Sequence, residues 1–256
     1  GSRNSPVPVQ VGSGIPTKIR DYVYCLPFND FDAVEQCLND HHGEIAALLV
    51  EPCLGNIVGI EPKDGFLQHL RNLCDKYNVV LIFDEVKTGF RLSNGGARET
   101  YEVIPDISTY AKSLGNGVPV AAFGGKSEVM NVIGGGSVAH AGTFGGNGVS
   151  MSAANAVLDI LNEAPVLKEL SIRGQKLKKG MDNILDEVGI PHQMCGHPNI
   201  QGFLITEHKV EEVRDLAYSD DAMYEKIMDH MFDRGVWVEN DPREPWFLCA
   251  AHTYHH

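Results

Sequence analysis

The sequence predicts an α/β fold in which a mostly parallel sheet is covered by helices and followed by a small C-terminal α+β domain. The main observation is a strand, a helix and a second strand within about 40 residues, the pattern of a βαβ unit. The candidate strands are also almost continuously apolar, as in parallel sheets that are buried on both faces. The 256 residues, 43% of them hydrophobic, provide enough material for one large domain or two smaller ones.

The βαβ unit runs from the apolar stretch EIAALLVEP at 44–52 to the stretch VVLIFD at 79–84. Between them, Asp64 is the predicted N-cap of a helix. The apolar residues of this helix recur at helical spacing and form one stripe: Phe66, Leu67, Leu70, Leu73, Cys74 and Tyr77. Before this unit, we expect an irregular N-terminal segment of 30 residues and then a helix at 31–41.

Further elements follow the βαβ unit. Strands are predicted at 106–112 and 120–125, and helices at 148–164 and 166–188. The remaining motifs predict a small α+β unit: GFLITE, the helix DDAMYEKIMDHMFDRG, VWVEN and WFLCAAHT. We therefore place a domain boundary near Pro165, so that 1–165 is part of a large domain and 166–256 a small C-terminal domain.

Charge and cysteine content exclude several classes of protein. A formal net charge of -13 argues against a nucleic-acid-binding surface. No apolar run approaches the roughly 20 residues that span a bilayer, so no membrane partner is expected. The sequence starts without the apolar segment of a secretory signal. The six cysteines are scattered without CxxC spacing, which favours reduced thiols and a cytoplasmic location.

Charged side chains follow three candidate strands where each strand ends. Glu51 closes the first, Asp84 and Glu85 close the second, and Lys112 closes the next one along the chain. Ligands of open α/β sheets bind at the carboxyl ends of the strands. An acid and a lysine at neighbouring strand ends also form simple ion pairs in many proteins. Spacing alone favours such an ion pair over a ligand-binding site here.

A glycine-rich segment adds a possible anion site. HAGTFGGNG at 140–148 offers the hydroxyl of Thr143 and several glycine N–H groups before a helix N-terminus, a favourable place for phosphate. A carboxylate, a lysine and a phosphate site together are what pyridoxal 5'-phosphate (PLP) requires of a protein. Lys126, in FGGKSEV, is a rival lysine, for which a surface role is favoured.

Four motifs and their order along the chain resemble those of the class III aminotransferases of PLP fold type I, and in particular those of the glutamate-1-semialdehyde 2,1-aminomutase-like members. The resemblance runs from about residue 20 to the end of the chain. The motifs are EPCLGNIVGI, LIFDEVKTGFR, VIPDISTYAKSLGNGVPVAAFGGKSEVM and HAGTFGGN. The resemblance implies the PLP-dependent transferase fold type I, with PLP as the cofactor.

The resemblance also implies a role for each matching residue. Lys112 binds PLP as a Schiff base and moves the substrate proton, and Asp84 pairs with the pyridine nitrogen. Val86 packs against one face of the ring. Thr143 contacts the phosphate in the neighbouring subunit, which implies a homodimer. Asn56 stands where many relatives carry a glutamate, which favours the aminomutase-like subgroup.

Other candidate residues are less specific. His140, just before the phosphate threonine, is a candidate for the substrate pocket. HQMCGH at 192–197 contains two histidines and a cysteine, but a single cluster without a distant second pair is more often a loop, so no metal site is predicted.

The sequence therefore predicts a PLP-dependent aminotransferase or aminomutase. Such an enzyme moves an amino group on an amino acid or amino-aldehyde by a 1,3-proton shift. Two alternatives stay open: an inactive PLP-fold subunit for assembly or binding, and another PLP reaction such as racemisation.

Family chains carry a phosphate loop and a stacking aromatic residue on the N-terminal side of these motifs. We therefore expect a fragment that lacks this part and has a truncated small domain.

Overall fold

The computed structural model describes residues 12–134 and 136–255 of the chain. The first 11 residues of the predicted N-terminal segment lie outside this range. The strands are β1 (Ala47–Val50), β2 (Val80–Asp84), β3 (Ile107–Tyr110), β4 (Ala122–Gly125), β5 (His192–Cys195), β6 (Ile200–Ile205) and β7 (Trp246–Phe247). The helices are α1 (Phe31–Asp40), α2 (Phe66–Tyr77), α3 (Gly96–Thr100), α4 (Ser127–Gly134), α5 (Gly148–Glu163), α6 (Val166–Glu187) and α7 (Asp221–Phe232).

The first sheet has the strand order β1-β2-β3-β4. β1, β2 and β3 are parallel, with Leu48 opposite Leu81 and Ile82 opposite Ile107. β4 runs antiparallel to β3. The predicted mostly parallel sheet is confirmed, and its topology brings the carboxyl ends of β1, β2 and β3 to one edge while β4 ends at the other.

One face of this sheet carries the main core. Leu81 and Phe83 of β2 are fully buried, in one cluster with the apolar stripe of α2 that the sequence predicted. The opposite face is more open, since Leu49 is 65% exposed and Phe123 is 41% exposed. Asp84 lies on this more open face, because strand side chains alternate between the two faces.

The helices α2, α5 and α6 begin and end close to the predicted positions. The exception is the start of α2, where the N-cap is Gly65 and not Asp64. The chain enters the helix through a left-handed conformation at residue 65 (φ 79°), which glycine adopts without steric cost. The 22 residues of α6 are amphipathic, and no helix within the described ranges is both long and apolar enough to cross a bilayer.

The second sheet is antiparallel, with the strand order β5-β6-β7. All six residues of β6 are buried, and Phe203 and Ile205 form a core with α6 and α7 residues: Leu185, Tyr224 and Met228. The expectation of a loop at HQMC was wrong. HQMC forms β5, because β6 offers it a buried partner strand. VWVEN, in the predicted α+β unit, forms no strand, and its Trp237 is 88% exposed.

A buried carboxylate joins three elements at the amino end of β3. Asp106 accepts hydrogen bonds from Arg71 Nη1 (2.8 Å), from Leu81 N (2.7 Å) and from Lys126 Nζ (2.7 Å). Burial opposes ionisation of Asp106, but the bonds from Lys126, Leu81 and Arg71 hold its pKa below the usual value. Asp106 therefore ties α2 and the residue after β4 to the centre of the sheet.

We predict that Asp106→Asn lowers the free energy of unfolding by about 3–5 kcal/mol, because it removes the buried charged partner of Arg71 and Lys126 and leaves Arg71 with only the exposed Asp75 carboxylate. Asp75→Asn is the matched control. Asp75 pairs with the same arginine but its side chain is 62% exposed, so its loss costs less than about 1 kcal/mol. Denaturant unfolding measures both variants, and equal losses would contradict the account.

A half-buried histidine stands in the turn between β5 and β6. His197 Nδ1 accepts a hydrogen bond from Asn199 N at 3.2 Å. Burial, and then the nearby Lys178 ammonium, lower the pKa of His197 to about 4. The unfolded chain binds this proton below about pH 6.5, whereas the folded protein does not bind it until about pH 4.

His197 therefore stabilises the fold above pH 6.5 relative to lower pH, and this stability is lost as the pH falls from about 6.5 to about 4. We predict that His197→Asn, which keeps an acceptor for Asn199, makes the unfolding free energy fall less steeply across this window. Urea unfolding at several pH values measures the slope, with the exposed His230→Asn as control. An unchanged slope in His197→Asn would rule out this role.

Candidate active site

The open edge of the four-stranded sheet collects the residues that the sequence analysis singled out. β2 ends at Asp84, and β3 ends at Tyr110, two residues before Lys112. Because the two strands are parallel and adjacent, Asp84 and Lys112 follow them at the same edge. Glu51 follows β1 at this edge as well.

Asp84 is held in a defined orientation. Its Oδ1 accepts hydrogen bonds from Val86 N at 3.0 Å and from Thr109 Oγ1 at 3.3 Å. Asp84 and Val86 are half-buried. The carboxylate is thus fixed by its own turn and by the neighbouring strand, so that it lies on the open face of the sheet near the edge.

Glu85, the next residue, has a different environment. It is fully buried, and its Oε2 accepts hydrogen bonds from Ala97 N (2.6 Å) and Thr88 Oγ1 (3.3 Å). Burial raises the pKa of Glu85, and these hydrogen bonds oppose the rise. Glu85 therefore fastens the turn after β2 to α3, and the two adjacent carboxylates do not act as a pair.

Lys112 lies in a strained backbone position. It begins a 3₁₀ turn (Lys112–Leu114) with a φ of 42°, in the left-handed region that non-glycine residues rarely adopt. Such a conformation costs on the order of 1–3 kcal/mol and is found preferentially at functional sites. The residue is exposed, and its carbonyl accepts bonds from Gly115 N (3.1 Å) and Asn116 N (3.0 Å), which hold the turn.

The rival lysine lies elsewhere. β4 runs antiparallel to β3, so Lys126, which follows it, is at the opposite edge of the sheet from Asp84. Its Nζ forms the 2.7 Å ion pair with Asp106. Of these two lysines, Lys112 is the one that shares an edge with Asp84.

The loop after β1 contains an interaction that local sequence patterns did not predict. Glu51 accepts hydrogen bonds from Gly55 N (3.0 Å) and from Asn56 Nδ2 (3.2 Å). Burial and the nearby Asp84 carboxylate raise the pKa of Glu51, and the bond from Asn56 opposes them. The side chain of Asn56 is thus bonded to Glu51, the residue that follows β1 at this edge of the sheet. The available signal in the sequence was the motif EPCLGN, in which a turn brings Gly55 and Asn56 back to Glu51.

The remaining site candidates lie between α4 and α5. The ring of His140 packs edge-to-face against the ring of Phe123 in β4, with the two ring centroids 5.1 Å apart. Phe123 pairs with Thr109, whose hydroxyl binds Asp84, so His140 lies over the open face of the sheet. Thr143 is exposed in the same loop, ahead of Asn147, which caps α5. In the described part of the chain, Thr143 makes no hydrogen bond to Asp84 or Lys112.

The histidines and cysteine of HQMCGH do not converge on one point. His192 Nε2 lies 3.0 Å from Asp182 Oδ1, and Cys195 is buried in the second sheet. Among residues 12–134 and 136–255, no three His, Cys, Asp or Glu side chains form a group suited to a metal ion.

Comparison with known proteins gives a consistent result. A family model described as aminotransferase class-III matches residues 21–248. The glutamate-1-semialdehyde 2,1-aminomutase of Aquifex aeolicus is 38% identical over 240 residues, which cover 93% of this chain and 57% of that protein. The corresponding enzyme of Thermodesulfovibrio yellowstonii is 36% identical over 99% of this chain and 60% of that protein. The chain thus spans little more than half the length of these relatives.

Solved structures show the same fold. An omega-transaminase from Sphaerobacter thermophilus superposes with a TM-score of 0.89 at 30% identity, covering 98% of this chain and 57% of that chain. A glutamate-1-semialdehyde aminomutase from Pseudomonas aeruginosa superposes with a TM-score of 0.80 at 21% identity, covering 95% of this chain and 56% of that chain.

Proposed function

The chain belongs to the class III aminotransferase family, and on that premise we propose that it is part of a PLP-dependent aminotransferase or aminomutase. The substrate class is an amino acid or an amino-aldehyde. The observation that carries the proposal is the position of Asp84 and Lys112 at one sheet edge, with Lys126 at the other. An inactive assembly subunit is disfavoured, because the chain combines this acid and lysine with Thr143.

The residues present fit the cofactor. Asp84 uses Oδ1 for its two hydrogen bonds within the protein, which leaves Oδ2 to accept one from a protonated pyridine nitrogen. Lys112 offers an exposed primary amine. Thr143 and the glycine-rich segment that leads into α5 offer a hydroxyl and N–H groups for a phosphate.

When bound, PLP supplies an aldehyde that condenses with amines and a ring that accepts electrons from the substrate. The carboxylate of Asp84 keeps a proton on the pyridine nitrogen, because a nearby negative charge favours the cationic form. Nζ of Lys112 would take the proton from the substrate Cα and complete the 1,3-proton shift, a transfer that typically contributes about 10²–10⁴-fold to the rate. Val86 would pack against one face of the ring, and Asn56 and His140 would line the substrate pocket.

The same proposal covers assembly, domains and location. A homodimer places Thr143 at the phosphate of the neighbouring subunit, and the 83% exposure of the adjacent Phe144 supports a partner surface there. Two separate sheets support a division into 1–165 and 166–256. A cytoplasmic location is supported by cysteines that are all free thiols within the described residues.

We predict that Lys112→Ala abolishes the borohydride-reducible bond between the protein and PLP, because it removes the only amine proposed to form it. Lys126→Ala is the matched control and keeps the bond, since Lys126 is engaged with Asp106 at the far edge. Visible absorbance and the mass of the reduced protein measure the bond. Retention of covalently fixed PLP in Lys112→Ala would assign the cofactor to another lysine.

We predict that Asp84→Asn raises the Kd for PLP by about tenfold or more, because hydrogen bonds to charged groups contribute about 1.5–3 kcal/mol. The lysine bond to PLP still forms in this variant, so reduction with borohydride still fixes the cofactor. Titration of the apoprotein followed by absorbance measures the Kd, with the exposed Asp75→Asn as control. An unchanged Kd in Asp84→Asn would remove Asp84 from the cofactor site.

Transamination and aminomutation differ in one observable. A transaminase consumes a 2-oxo acid in stoichiometric amounts, whereas an aminomutase moves the amino group within one molecule and consumes none. Incubation with glutamate-1-semialdehyde, the compound in the names of the similar proteins, with and without a 2-oxo acid, distinguishes the two reactions.

A further inference from the structure

Lys87, three residues after Asp84, is a buried cation at the junction of three segments. Its side chain is only 10% exposed, and its Nζ lies 2.7 Å from Glu244 Oε2 and 2.8 Å from the carbonyl oxygen of Gly55. A buried charge is costly unless it is paired and hydrogen-bonded. The two partners of Lys87 meet this requirement, and each comes from a different part of the chain.

The first partner belongs to the loop after β1, residues 51–60. Gly55 is held on both sides, since its carbonyl accepts from Lys87 and its N–H donates to Glu51 Oε2 at 3.0 Å. A Cβ at Gly55 would lie 2.8 Å from Cβ and Cδ of Lys87, so the loop packs directly on the lysine stem. Lys87 therefore fixes the loop that carries Glu51 and Asn56.

The second partner belongs to a stretch that we call the C-terminal segment, residues 241–248. Glu244 is 157 positions from Lys87 in the sequence. The Phe247 ring of the same segment lies 5.4 Å from Lys87 Nζ. The loop after β1 also contacts this segment, because Val58 N donates to the carbonyl of Arg243 at 2.5 Å. Lys87 thus lies where both stretches meet the turn after β2.

These contacts have an electrostatic consequence at the sheet edge. Burial, and then the Asp84 carboxylate, raise the pKa of Glu51, while the hydrogen bonds from Asn56 and Gly55 and the nearby Lys87 ammonium oppose the rise. Lys87 therefore favours the ionised form of Glu51, the form that accepts hydrogen bonds from Gly55 and Asn56. Within the described residues, Lys87 makes no hydrogen bond to Asp84; its bonds reach the loop after β1 and the C-terminal segment.

From this junction we propose that Lys87 is a positioning residue, which uses its bonds to Gly55 and Glu244 to hold the Asp84 turn in the geometry that binds PLP. The proposal rests on the proposed function, since it assigns PLP to the Asp84 edge. It adds that the affinity for the cofactor depends on the C-terminal segment, through one ion pair.

The test compares Lys87→Met, Glu244→Gln and the double variant in the full protein, by PLP titration of the folded apoprotein. Each single variant is expected to raise the Kd for PLP about 5- to 10-fold. The double variant is expected to raise it no further, because both changes break the same ion pair between Lys87 and Glu244. Lys87→Arg, which keeps the charge, is expected to stay within about threefold of the unmodified protein. Lys76→Met is the control, as Lys76 forms an exposed ion pair with Glu35.

Unfolding free energies of the same apoproteins separate positioning from a purely structural role. A lower unfolding free energy with an unchanged Kd for PLP would overturn the proposal, and so would additive effects of the two single variants. Amide hydrogen exchange gives a second readout, in which Lys87→Met deprotects 51–60 and 84–89 more than β6. If the unmodified protein bound no PLP, the proposed function would fail, an outcome distinct from an unchanged Kd in Lys87→Met.

Discussion

The parallel pairing of β2 with β3 is the constraint on which the candidate site depends. Because both strands point the same way, the residues that follow them lie at one edge, and an acid and a lysine 28 residues apart are brought to the same edge of the sheet. The antiparallel direction of β4 has the opposite effect on Lys126. Strand direction, and not the chemistry of the side chain, thus decides which lysine lies at the same edge as Asp84.

Three carboxylates around this sheet show how environment separates roles. Asp106 has two cations and a backbone N–H and therefore stabilises the sheet as an ion. Glu85 is buried, accepts hydrogen bonds from the neutral donors Ala97 N and Thr88 Oγ1, and connects the turn after β2 to α3. Asp84 is half-buried, is oriented through Oδ1 alone, and lies on the open face. Of the three, Asp84 is the one that is arranged to meet an external cation.

Much of the sheet could be predicted from the sequence, and so could the placement of Asp84 and Lys112 at one edge of it. The strands β1 and β2 are apolar runs, and the α2 stripe has clear helical periodicity, so local pattern was sufficient. It failed at HQMC, a mixed polar stretch that becomes a strand only because the buried β6 lies beside it. It also failed at the start of α2, where the left-handed backbone of Gly65 outweighed the capping preference of Asp64.

The contacts around Lys87 could not be predicted in this way. Glu244 and Gly55 are brought to the lysine by the packing of three distant segments, and no local pattern encodes that meeting. The motif of residues 84–90 predicts a cofactor-binding role for Asp84, but it gave no sign that the lysine within it contacts the C-terminal segment. Long-range ion pairs of this kind need the folded structure.

The most direct measurement of the central claim is peptide mapping of the unmodified protein after reduction with borohydride in the presence of PLP. The account predicts that mass spectrometry finds the cofactor on the peptide that contains Lys112, and on no other lysine. A modified peptide containing Lys126, or a modification spread over several surface lysines, would contradict the assignment of Asp84 and Lys112 to one site.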